Sequence, residues 1–154
     1  MREILFRGKL SHSGEWITGS LIIARDDDYY IIPTDIFETD GHHLIIDADR
    51  PFKVLPETIG QFTGLTDKTG TKIFEDDIIE VLEDENKKTD NNPCYFNYGD
   101  IGEVIFEQRY CAFNLYNREQ EDGENMGNLI RDDAFNFCKV IGNIHDNPEL
   151  LTEI

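Results

Sequence analysis

Short extended runs, each closed by Gly, Asp or Pro, dominate this sequence, and no stretch holds an amphipathic helical period beyond about three turns. That pattern limits the chain to strands joined by tight turns, a small barrel or a sandwich. The opening REILFRGKL alternates, with Ile4 and Phe6 on one side and Glu3, Leu5 and Arg7 on the other. EWITGSLIIA is a second run, in which Gly19 marks a bulge or bend. YYIIP, HHLIID, IGEVIFEQ, RYCAFNLYN and AFNFCKVIGNI read as further strands, and PFKVLP, between Pro51 and Pro56, as a short or edge strand. In the last long run Phe135, Phe137 and Lys139 share one side and Ala134, Asn136, Cys138 and Val140 the other, without a sign of which is buried. PETIGQFTG has no period and reads as a connector, with Ile59 and Phe62 as plugs for the core. NPELL closes the chain with Asn147 as an N-cap and Pro148 at the first helical position.

The stretch GLTDKTGTKIFEDDIIEV, residues 64–81, is the most strongly punctuated. An Asp side chain bonds its own backbone two residues on, and Gly takes positive φ, so Asp67 to Gly70 predicts a type I turn closed by a glycine bulge. TKIFE and DIIEV then flank a kink at Glu75-Asp76, with Phe74, Ile79 and Val81 in the core. Successive strand residues point to opposite faces, so Asp76 and Asp77 do not aim at one atom. Turn and strand entry is the favoured reading of both.

Composition narrows the partners. The 154 residues suffice for one domain with its own core. Acidic residues number 32 against 14 basic, a net charge of −18, which opposes binding to phosphate backbones and to anionic membranes. Such a charge suits a basic partner, imitation of nucleic acid, or solubility alone. Cys94, Cys111 and Cys138 are an odd number without a C-x-x-C pair, against a disulfide framework or a cysteine zinc site. MREILFRGKL has no long apolar segment and no run is long enough to span a bilayer, so the expected compartment is the cytoplasm.

Candidate chemistry is sparse. Asp26-Asp27-Asp28 offers oxygen ligands but reads as a solvated loop. DENKKTDNN at 84–92 resembles a calcium loop yet has Thr89 and Tyr95 where Gly and the closing Glu belong. His42-His43 and His145-Asp146 are the other metal-like clusters, but His12 and His43 are not at ligand spacing from anything and neighbouring histidines in a strand diverge. There is no G-x-S-x-G, no G-x-x-x-x-G-K-[ST] and no G-x-G-x-x-G. No catalytic, metal-ligating or cofactor-binding residue is therefore assigned. The remaining feature is the loop at 83–100, whose aromatic patch Tyr95, Phe96 and Tyr98 either grips a partner or folds back over the core.

LFRGK at 5–9, GEWITGSLI at 14–22, VLPETIGQFTGLTDKTGTKIFEDDIIEV at 54–81, GEVIFE at 102–107 and VIGNIHDNPELL at 140–151 together resemble the YopX family of phage and prophage proteins. One departure is Asp76, where the family usually has Gly, so a residue with a Cβ makes the bend; Asp tolerates unusual φ better than most. The resemblance implies a mostly β protein with little helix. It implies a single domain over 1–154, in which 1–55 adds N-terminal strands to an SH3-like barrel portion at 56–154. It also implies a source in a phage or prophage, hence a bacterial cytoplasm, and supplies no catalytic residues.

Taken together, the expected function is a non-enzymatic protein-binding module that acts on a host or phage protein through Tyr95, Phe96 and Tyr98, with homo-oligomers allowed. An acidic nucleic-acid mimic that occupies a host DNA-binding protein is the second reading, and a metal-dependent hydrolase the third.

Overall fold

The computed structural model describes residues 3–25, 27–33, 38–39, 44–45, 52–82, 98–109, 111–116, 125–128 and 137–152. The chain forms two compact units, 1–62 and 63–154.

In the first unit, β1 (Phe6–Lys9) pairs antiparallel with β2 (Trp16–Ile23) from Phe6↔Gly19 to Lys9↔Trp16. β2 then pairs with β3 (Tyr29–Ile32) from Ser20↔Ile32 to Ile23↔Tyr29. The PFKVLP segment follows as two isolated bridges: Lys53 meets Tyr30, and Val54 meets Leu10 just past β1. Hydrogen bonds thus return from β3 through residues 52–55 to the end of β1, with Val54 N donating to Tyr29 O and Leu55 N to Lys9 O, both at 2.9 Å. Among the described residues of this unit, Leu5, Ile31, Ile32, Phe52, Val54 and Phe62 are the buried apolar ones. Of the opening alternation, Leu5 is the inward residue and Ile4 is exposed. Arg7 and Lys9 both lie over the Trp16 ring, 4.8 and 5.4 Å from its centroid, where the ring quadrupole attracts cations. β4 (Glu38–Thr39) and β5 (Leu44–Ile45) form a separate antiparallel pair.

Gly19 sits where β2 changes partner from β1 to β3. Neither register shifts there, so it is no bulge. The position needs Gly because the Ile32 carbonyl and Pro33 N occupy the place of a Cβ.

The segment read as a connector contains a single 3-10 turn, Pro56–Thr58, and then β6 (Gly60–Thr66), which runs through the boundary between the units. Periodicity missed β6 because GQFTGLT alternates poorly; backbone pairing with β1 at Gly60 and Gln61 makes the strand. Phe62 is buried as expected, while Ile59 is half-buried.

In the second unit, the chain leaves β6 through the Asp67–Gly70 turn and returns as β7 (Lys72–Phe74), where Thr63 Oγ1 donates to Ile73 O at 2.8 Å. β8 (Asp77–Val81), β9 (Ile101–Glu107), β10 (Ala112–Tyr116), β11 (Asn125–Asn128) and β12 (Cys138–Asn143) form an antiparallel sheet in the order β11-β10-β9-β8-β12. Its core joins Ile73 of β7 to Ile79, Val81, Val104, Phe113, Leu115 and Cys138, with Val140 packed against them. The undecided face of β12 is therefore resolved: Cys138 and Val140 turn inward and Lys139 outward. β10 is buried on both faces, since Ala112 and Asn114 are as covered as Phe113 and Leu115.

The mostly β expectation holds. Among the described residues helical structure is confined to 3-10 turns, and the strand pairing gives antiparallel sheets without a closed barrel. At the C-terminus Pro148 begins a 3-10 turn, Pro148–Leu151, but the Asn147 side chain makes no capping bond and lies against Gly142 instead. No helix among the described residues is long and apolar enough to cross a membrane.

Overpacking a tight backbone approach costs about 1–3 kcal/mol. Gly19→Ala is expected to lower the unfolding free energy by that amount, read as a lower urea midpoint with an unchanged m value; an unchanged midpoint would show that β2 and β3 separate freely at this point.

Candidate functional site

Three features of the second unit hold the residues that sequence reasoning singled out. The first is the Asp67 turn. Gly70 N donates to Asp67 O at 2.9 Å, and Gly70 has φ +86°, so the expected turn is present. Asp67 Oδ1 accepts from Thr69 N at 2.8 Å, from Thr69 Oγ1 at 2.7 Å and from Thr71 N at 2.9 Å. Its other oxygen, Oδ2, accepts from Val140 N at 3.0 Å, a partner 73 residues away on β12. Lys68 N adds a bond to Cys138 O at 3.1 Å. Asp67 is 5% exposed. Burial pushes its carboxyl upward, but the Thr69 hydroxyl and the amides of Val140, Thr71 and Thr69 together hold it below its usual 3.8.

The second feature is the Asp76-Asp77 pair. The two carboxylates diverge, Asp76 standing in the bend at positive φ and Asp77 opening β8. Asp77 is buried and its Oδ2 accepts from Phe74 N at 2.7 Å, closing the β7–β8 turn. Asp76 has φ +65°, so the residue with a Cβ does make the bend, at a cost of about 1 kcal/mol. Its Oδ2 lies 3.0 Å from His145 Nε2, with the two side chains 26% and 16% exposed. The local sequence gave no sign of this contact, because the partners are 69 residues apart. Backbone bonds frame it: Asp76 N donates to Val104 O and Ile144 N to Asp76 O. Asn143 Oδ1 accepts from both His145 N and Asp146 N at 3.0 Å, which aims the imidazole back at β8. An imidazole beside a carboxylate is an acid–base pair. Here it joins the β7–β8 bend to the turn that follows β12.

The third feature is the root of the 83–100 loop. Of the aromatic patch, Tyr98 is described and is 71% exposed. Tyr95 and Phe96 lie outside the described residues, as do Asp26, His42, His43, Cys94 and the 84–92 segment. Gly99 has φ +85° and donates to Val81 O at 2.9 Å, while Val81 N donates to Asp100 O at 2.8 Å. The loop thus starts and ends on β8 and β9 with a closed, hydrogen-bonded base, and Tyr98 projects from it. Among the described residues no group of three or more His, Cys, Asp or Glu is placed to hold a metal ion. Cys111 is an exposed free thiol and Cys138 a buried one.

Charge is uneven along the chain. Residues 1–62 hold 11 acidic and 6 basic side chains, and residues 63–154 hold 21 acidic and 8 basic. Tyr98 therefore stands on the more acidic unit.

Each hydrogen bond to a charged group contributes about 1.5–3 kcal/mol. A carboxyl lowered on folding stabilises fully above its unfolded value, and that contribution is lost as pH falls through the folded value. Asp67→Asn keeps the shape and removes the charge. The variant is expected to be less stable than the parent by about 1.5–3 kcal/mol at neutral pH, with the gap closing below the usual 3.8. Urea denaturation across that range checks this, and a gap that persists at low pH would contradict it.

The sequence pattern of the YopX protein family matches residues 5–152. Among solved structures, the crystal structure of protein EF1440 from Enterococcus faecalis is similar in fold: TM-score 0.57 and 21% identity, over 98% of this chain and 99% of that one. No curated protein sequence matches. The match over nearly the whole length, with the turn, bend and C-terminal motifs in the places described above, shows that the chain belongs to the YopX family.

Proposed function

We propose that this YopX family member is a phage- or prophage-encoded, non-enzymatic protein-binding module of the bacterial cytoplasm, with its contact surface on the 83–100 loop. The observation that carries the reading is Tyr98, a large aromatic side chain 71% exposed on a loop whose base is fixed by hydrogen bonds. A rigid scaffold that presents an aromatic side chain pays little ordering entropy on binding. Tyr is also among the residues that most often dominate binding energy. Tyr95 and Phe96, three and two residues before it, extend the same aromatic stretch in sequence. The polar bonds described at Asp67, Asp76 and Asp77 are directed at backbone, at the Thr69 hydroxyl and at His145, which supports a scaffold role for these carboxylates.

The charge of −18, concentrated on residues 63–154, favours a second reading in which the acidic surface imitates nucleic acid on a basic host protein. Salt separates the two. Charge-driven binding weakens as ionic strength rises, whereas an aromatic anchor holds.

Tyr98→Ala is expected to weaken capture of the partner from a bacterial lysate by about tenfold or more, in line with loss of a dominant anchor, with no change in melting temperature. Full retention of capture by a folded variant would reject the loop. Capture by the parent chain that vanishes at moderate salt would favour imitation of nucleic acid.

A further inference from the structure

We propose that Arg7, Lys9 and Trp16 form a binding site for a terminal phosphate group carried by a small molecule. The site lies in the first unit, and the inference neither uses Tyr98 nor depends on its role.

Charge is segregated within this acidic chain. β1, β2, β3 and residues 52–55 hold three basic side chains, Arg7, Lys9 and Lys53, and no acidic one. The strands from β8 to β12 hold Asp77, Glu80, Glu103 and Glu107 against Lys139 alone. Directly opposed residues of paired strands share a face. Lys9 opposes Trp16, and Arg7 opposes Thr18. Further along the same face Ile22 opposes Tyr30, which bridges to Lys53. The three cations therefore share one face. The opposite face is the interior, since a Cβ on Gly8 would meet Ile31 and Val54, both buried. On the outer, cationic face Thr18 is exposed, and Arg7, Lys9 and Trp16 are half-buried.

Two of these cations converge. Arg7 Cζ lies 4.8 Å and Lys9 Nζ 5.4 Å from the centroid of the same indole ring, whose quadrupole offsets their mutual repulsion. The backbone beneath them is fixed, because Lys9 N donates to Thr58 Oγ1 at 2.8 Å and Thr58 is buried. Lys53 differs, since its Nζ pairs with Asp28 Oδ1 at 2.6 Å. Arg7 and Lys9 make other contacts within the chain as well. A guanidinium and an ammonium each carry several N–H donors, so each serves the ring, the chain and an anion together.

The ligand follows from charge and size. Two positive charges match a phosphate monoester, which bears about −1.5 to −2 at neutral pH, better than a singly charged carboxylate. The planar fork of Arg7 suits two phosphate oxygens at once. A small molecule fits better than a polynucleotide. Screening confines the reach of a charge to about 8 Å at physiological ionic strength, so a small ligand meets chiefly this pair. The successive phosphates of a strand would extend over a chain of charge −18.

Trp16 is the sole tryptophan, so its fluorescence and its indole N–H resonance read the site directly. The full chain is titrated with ribose 5-phosphate, with inorganic phosphate and with ribose. Both phosphates are expected to shift the two signals to saturation, and ribose to leave them unchanged. A tighter response to ribose 5-phosphate identifies an organic ester as the ligand, and equal responses identify the phosphate ion. Arg7→Gln and Lys9→Gln are each expected to raise the apparent Kd about tenfold or more, and Lys53→Gln to leave it at the parent value. Should Arg7→Gln fail to fold, Arg7→Lys keeps the charge and loses the fork, and is expected to weaken binding several-fold. Signals that stay still with either phosphate at millimolar concentration overturn the proposal. So does a folded Lys9→Gln that binds as the parent does. A Lys53→Gln variant weakened as much as Lys9→Gln overturns it too, because the effect would then be one of overall charge.

Discussion

A buried carboxylate is tolerated only where hydrogen bonds replace the water it has lost, and the second unit is arranged to meet that demand at Asp67. Four donors converge on its two oxygens. Three are local and form the turn between β6 and β7; the fourth comes from β12. The same group that shapes a hairpin loop therefore also fixes that loop on a distant strand. Ile73 of β7 enters the core beside Cys138 of β12, so the polar anchor and the apolar packing secure the same register. Either would be weaker alone. An unanchored loop would leave β12 exposed at its edge, and an anchored loop without Ile73 would cover an unfilled interior.

The same economy appears at Asp76 and Asp77. Asp76 sits in the bend and Asp77 begins β8, and each carboxylate closes a different connection. Asp77 turns inward to the amide of Phe74, and Asp76 turns to His145 on the turn beyond β12. The positive φ at Asp76 is a local cost. It is met by two backbone bonds at the bend and by the imidazole contact. Carboxylates in this part of the fold thus act as connectors between strands. Tyr98, by contrast, stands exposed on the same unit.

What the sequence revealed was local. The D-K-T-G stretch announced its turn and the bond from Asp67 to Thr69, because side-chain-to-backbone bonding two residues on is a property of Asp itself. Phe74, Ile79 and Val81 were legible as core from alternation, and all three are buried. What stayed hidden depends on partners far along the chain. No pattern within GLTDKTG points to Val140, and none within NIHDN points to Asp76. Gly19 looked like a bulge because Gly in a strand often marks one; its actual role, to let a carbonyl approach, depends on β3. β10 carries polar Asn114 at a fully buried position, which nothing in RYCAFNLYN signals. The aromatic patch was legible as a patch, but exposure is a property of the folded surface, and Tyr98 is the member at which it is seen.

The central claim is that Asp67 is ionised, buried and held by donors from two parts of the chain. The most direct measurement is an NMR titration of the Asp67 side-chain carboxyl carbon in the native protein. The account predicts a midpoint below the usual 3.8, with the Val140 amide proton shifting along the same curve, since both report one hydrogen bond. A midpoint at or above that value, or a Val140 amide indifferent to the titration, would contradict it.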